Sequence, residues 1–194
     1  MAESIDQLIS SRKALIETLE SNSFASGIHR LLTDIYPDTA HFVYELLQNA
    51  EDVEATRVRF ELDPRGVYFA HNGKKEFTLE DVDAITSIGG NLGKKGDSTS
   101  IGEFGVGVKA VFSYTATPEI HSGGYHFRIH DFFVPDTEGV AQSPLKPGIP
   151  SGWTEFFFPF NSPTKEANVA YDETLKGVQR RDESSLLFLA HIAR

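Results

Sequence analysis

The sequence predicts an α+β domain in which helices cover one face of a mixed, mostly antiparallel sheet, a two-layer sandwich. Three observations point there. Ile5, Leu8, Ile9, Leu15, Ile16 and Leu19 recur at helical spacing. Residues 56–62 alternate with period two, and the turn Asp63-Pro-Arg-Gly66 joins them to a second extended run at residues 67–70. Between such segments the glycine-rich stretches lack the Gly-Lys-Ser/Thr ending of a P-loop, and no βαβ unit with a ribose-binding acid surrounds them.

The elements follow in order. The first helix ends near Glu20, and residues 22–26 read as a linker. A second helix runs from Ser26 to about Tyr36 and stops at Pro37; Asp38 or Thr39 then caps a third helix. After the hairpin, Thr78 caps a short helix through Ile85, with Asp81 as the returning half of a capping box. Residues 89–100 form a polar, glycine-rich loop without periodicity, long enough to be a lid. A helix starts at Val108, and strands near 116–120, 124–132 and 154–158 complete the sheet. Residues 135–152, rich in Pro, Gly and Ser, read as an exposed excursion, and residues 173–194 as an apolar terminal helix.

Composition narrows the chemistry. The 194 residues carry 40% hydrophobic side chains, enough to bury a core without cross-links. Cysteine is absent and the seven histidines are scattered without ligand spacing, which excludes disulfides and a thiolate zinc site. A formal net charge of −10 opposes nonspecific attraction to nucleic acid. No apolar run approaches a membrane span and no signal peptide is legible, so the cytoplasm is the default compartment.

The third helix carries Glu45-Leu-Leu-Gln-Asn49-Ala-Glu-Asp52. At 3.6 residues per turn Glu45 and Asn49 share one face, with Asp52 still near it. The amide oxygen of Asn49 is a hard, neutral ligand suited to Mg²⁺. A carboxylate one turn away, Glu45, can deprotonate a water aimed at phosphorus, and Asp52 can hold metal-bound waters. The competing reading is an amphipathic helix whose polar residues are only solvated. A second run, Gly102-Glu-Phe-Gly105-Val106-Gly107, leads into Lys109. Glycines admit close phosphate contact, a helix N-terminus offers free N–H donors, and Lys109 adds a point charge.

Taken with residues 67–73, ending His71-Asn72-Gly73, and the loop Gly89-Gly-Asn-Leu-Gly-Lys94-Lys95-Gly96, this order resembles the GHKL superfamily of ATPases. The wording is similar to that of sacsin-like ATP-binding modules. The resemblance implies a Bergerat-type fold binding ATP and Mg²⁺, with Glu45 as general base and Asn49 as the metal ligand. It places Gly73 beside the base, Lys94 and Lys95 on a closing lid, and Gly102, Gly105, Val106, Gly107 and Lys109 on the phosphates. Thr154 matches a threonine that fixes the base through a water, although a threonine opening a strand also follows from β-propensity. His71 stands where the family has an aspartate; His71 or Asn72 would then supply the acceptor. The family's second glycine after Gly73 is missing.

These readings divide the chain into an N-terminal helix (1–22), a nucleotide-binding domain (23–164) and a C-terminal helical extension (165–194). The expected function is slow Mg²⁺-dependent ATP hydrolysis driving conformational change through a homodimer or adjoining domains. A nucleotide-gated interaction module with little hydrolysis is the alternative. A histidine kinase is disfavoured, because nothing resembles a phosphoacceptor helix.

Overall fold

The computed structural model describes residues 4–20, 41–87 and 108–179. Four α-helices lie within them: α1 (Ile5–Glu20), α2 (His41–Asp52), α3 (Leu79–Ile85) and α4 (Ala167–Gln179). A 3-10 helix spans Val108–Ser113. The strands are β1 (Val58–Asp63), β2 (Gly66–His71), β3 (Glu119–Ser122), β4 (Tyr125–His130), β5 (Val134–Asp136) and β6 (Thr154–Pro159). They form one open sheet in the order β1-β2-β6-β3-β4-β5, with every neighbouring pair antiparallel. The fold is therefore α+β, as the periodicities predict.

Side-chain alternation explains how the sheet is used. Val67 and Phe69 of β2, Phe156 and Phe158 of β6, Ile120 of β3, and Phe127 and Ile129 of β4 enter one buried cluster. Phe42, Leu46 and Ala50 of α2 join it, with Leu8 of α1, Val82 and Ile85 of α3 and Ala170 of α4. Each large side chain fully withdrawn from water contributes roughly 1.5–3 kcal/mol. The intervening residues Tyr68, Ala70 and Phe157 meet Leu145, Ile149 and Trp153 in a second cluster. The capping box forms as expected: Asp81 N–H donates to Thr78 Oγ1 at 3.3 Å, and Thr78 N–H to Asp81 Oδ2 at 2.8 Å.

The expected helix at Val108 forms as a 3-10 helix, a type suited to short pieces. Three expectations are corrected. β3 begins at Glu119, because Asn161 Oδ1 takes the Ala116 N–H at 2.7 Å and the Thr115 hydroxyl at 3.1 Å, and Pro118 offers no N–H. β4 ends at His130, since Asp131 and Phe132 turn left-handed with φ 48° and 69°. The excursion at 135–152 is neither wholly irregular nor wholly exposed: β5 opens it, and Ile149 is buried against Tyr68. Buried Glu155 fastens it, accepting from Leu145 N–H at 2.9 Å, the Ser143 hydroxyl at 2.6 Å and the Tyr68 hydroxyl at 2.7 Å.

The expected helix at 26–36 with its Pro37 stop, the Asp38 or Thr39 cap, and the loop 89–100 lie outside the described residues. Within the C-terminal extension expected at 165–194, α4 spans Ala167–Gln179 and buries Ala170, Thr174 and Gly177; residues 180–194 lie outside the described residues.

Candidate functional site

Two of the sequence motifs, the helix carrying Glu45 to Asp52 and the segment His71-Asn72-Gly73, meet where α2 ends against the end of β2. Helix α2 buries Phe42, Val43, Leu46 and Ala50, which turns Glu45, Asn49 and Asp52 toward its flank. The helix stops by a Schellman arrangement: Ala55 N–H donates to the Ala50 carbonyl at 2.9 Å and Glu54 N–H to that of Glu51 at 2.8 Å. Glu54 occupies the left-handed position, φ 54°, where glycine is usual. The chain leaving β2 then returns to this end, and Lys74 N–H donates to the Val53 carbonyl at 2.8 Å.

Gly73 makes that return possible. A β-carbon there would stand 2.3 Å from Val53 Cγ2 and 2.9 Å from His71 Nδ1. Its missing side chain thus lets the backbone pass between α2 and the histidine. Its N–H donates to His71 Nδ1 at 3.1 Å.

His71 is 2% exposed, and burial pushes its imidazole down to about 4, so the ring is neutral near pH 7. With Nδ1 accepting from Gly73, the ring proton resides on Nε2. Thr154 lies directly opposite His71 in the β2–β6 ladder and is equally buried. The Thr154 and Ser122 hydroxyls are 2.6 Å apart, and Ser122 Oγ also accepts from Phe77 N–H at 3.0 Å. Ser122 is invisible as a site residue in the sequence; only the strand register brings it there.

Asn72 works as a clamp on the backbone. Its Oδ1 accepts from Thr56 N–H at 3.0 Å and Arg57 N–H at 2.7 Å, and its Nδ2 donates to Thr56 Oγ1 at 2.9 Å. Both oxygen lone pairs are thereby used. Asn49 contrasts with it: the residue is 7% exposed, no hydrogen bond of its side-chain amide joins it to another described residue, and neither amide atom is sealed from water. Asp52 at the helix end has its carboxyl raised by burial and by neighbouring Glu51.

Other residues fall elsewhere. The 3-10 helix packs on α2, yet Lys109 is buried with its ammonium donating to the Phe132 carbonyl at 3.1 Å. Burial, then the nearby Arg12 guanidinium, lowers it to about 8. Lys74 pairs with Glu54, and Lys75 with Asp81 at 3.0 Å, so both serve local contacts. Lys94, Lys95, Gly102, Gly105, Val106 and Gly107 lie outside the described residues. Among the described residues no helix is long and apolar enough to cross a membrane.

The geometry defines an α+β domain with buried polar groups gathered at one sheet end. No family model matches the chain. It is similar to Protein NO VEIN of Arabidopsis thaliana, 38% identical over 104 residues, half of this chain and 4% of that protein. It is also similar to Sacsin of Homo sapiens, 30% identical over 120 residues, which is 54% of this chain and 3% of that one. The chain thus matches small parts of two large proteins.

Proposed function

We propose that the chain is a GHKL-type module of Bergerat fold that binds ATP with Mg²⁺ and hydrolyses it slowly, within a larger polypeptide or a homodimer. The observation that carries the reading is Asn49. Asn49 is 7% exposed, no hydrogen bond of its side-chain amide joins it to another described residue, and its amide atoms are not sealed from water, which leaves them open to a ligand or metal at that flank. Its neighbours have the required chemistry. Glu45 lies one turn earlier on the same helix, and Asp52 closes that helix. His71 and Thr154 supply polar atoms to the sheet end beside Gly73.

In this reading Asn49 would hold Mg²⁺ through its oxygen, and Asp52 would accept hydrogen bonds from the waters the ion keeps. Bound Mg²⁺ would neutralise charge on the phosphates. Glu45 takes the proton of a water as its oxygen bonds to the γ-phosphorus; the bond to the β-phosphate oxygen breaks, and ADP and phosphate leave. The similarity to Sacsin supports the reading, as does the motif order from Glu45 to Thr154.

Single-turnover hydrolysis by the full polypeptide tests it. Glu45→Ala is expected to slow turnover by 10²-fold or more while nucleotide remains bound. Equal rates in the two proteins would remove the assignment.

A further inference from the structure

Lys109 is where the sequence and the structure assign different work. Its position after the glycine run points to phosphate, but its ammonium holds a neutral carbonyl, that of Phe132, in an environment 96% shielded from water. Nearby Arg12 is anchored to Asp83 at 2.6 Å, and its Nε is buried with no partner. One carbonyl is a weak match for a buried cation, since hydrogen bonds to an ionised acceptor are roughly twice as strong.

The turn that Lys109 grips is strained. Asp131 and Phe132 adopt φ 48° and 69°, a left-handed backbone in which the β-carbon of a non-glycine residue crowds the following carbonyl oxygen. The 3-10 helix restrains this turn twice, through the Lys109 hydrogen bond and through Phe112, whose ring lies 4.8 Å from that of Phe132. Helix α1 sits over the same place. Lys13, Ile16 and Glu17 face His130, Asp131 and Val134 across a groove of about 330 Å³.

We infer that Lys109 is a nucleotide-responsive tether: on the Phe132 carbonyl it fixes the strained turn and the seat of α1, and on a polyphosphate oxygen it releases both. The inference rests on the functional reading above and gives that site an output. Lys109 is a positioning residue, and the ligand class it answers to is a nucleoside triphosphate with Mg²⁺.

Amide hydrogen exchange on the full polypeptide, with and without Mg²⁺-ATP, tests it, with calorimetry on the same samples to score binding. In the wild type, nucleotide should lower protection of residues 131–134 and of α1 about tenfold. Lys109→Met should be loose in both states, and Lys109→Arg should retain the response. Should Lys109→Met fail to fold, Phe132→Gly, which removes the strain, should fold and show a reduced response. Binding heat with unchanged protection in the wild type overturns the tether, as does a full response in Lys109→Met or Phe132→Gly. Absence of heat overturns the nucleotide reading itself, and the tether with it.

Discussion

His71 on β2 and Thr154 on β6 are register partners, both buried, at the sheet end where Gly73 brings the chain back to α2. Two residues that the one resemblance singles out are thus cross-strand neighbours. Their pairing makes one face of the proposed site a property of the sheet itself.

The depressed imidazole of His71 gives a pH signature. The folded state holds it at about 4 against 6.5 for the free side chain. The neutral form is therefore favoured by folding, and the contribution is fully present above pH 6.5 and lost as pH falls toward 4. At about 1.36 kcal/mol per pKa unit, the loss approaches ~3 kcal/mol. Urea unfolding at stepped pH should show wild-type stability falling through this window. His71→Gln should lessen the slope by about one proton.

Gly73→Ala should destabilise by about 1–3 kcal/mol, the range for overpacking, because its β-carbon collides with Val53 and His71. Gly124→Ala, where a β-carbon meets nothing within 4 Å, should stay within about 0.5 kcal/mol. Thermal melts of the pair separate steric need from a general intolerance of glycine replacement.

Glu155→Ala strands one buried donor, the Tyr68 hydroxyl, and takes the acceptor from two half-buried hydrogen bonds, those of the Ser143 hydroxyl and Leu145 N–H. A loss of about 2 kcal/mol is expected, with Tyr68→Phe nearer 1 kcal/mol. Exchange of the Leu145 amide should accelerate in Glu155→Ala before global unfolding; unchanged protection would mean that the apolar contacts of Ile149 alone hold the segment.

Local chemistry made much of this fold legible. The β1–β2 hairpin and the Thr78 and Asp81 capping box depend on residues a few positions apart, and both formed where expected. Distant partners were not legible. Nothing near Ala116 announces that Asn161 claims its N–H, so the sequence pattern starts β3 too early. Lys109 was read from the glycines beside it, while its observed acceptor, Phe132, is reached only through the fold. The clamp made by Asn72 is not legible in the sequence, because it depends on Thr56 and Arg57 across the strand entry.

The central claim is that the side-chain amide of Asn49 meets a nucleotide-bound metal. Calorimetric titration of ATP into the full polypeptide, with Mg²⁺ and with chelator, tests it most directly, alongside Asn49→Ala. Saturable binding that weakens at least tenfold on chelation and in Asn49→Ala is the expected result. Either no binding, or binding indifferent to both changes, would contradict it.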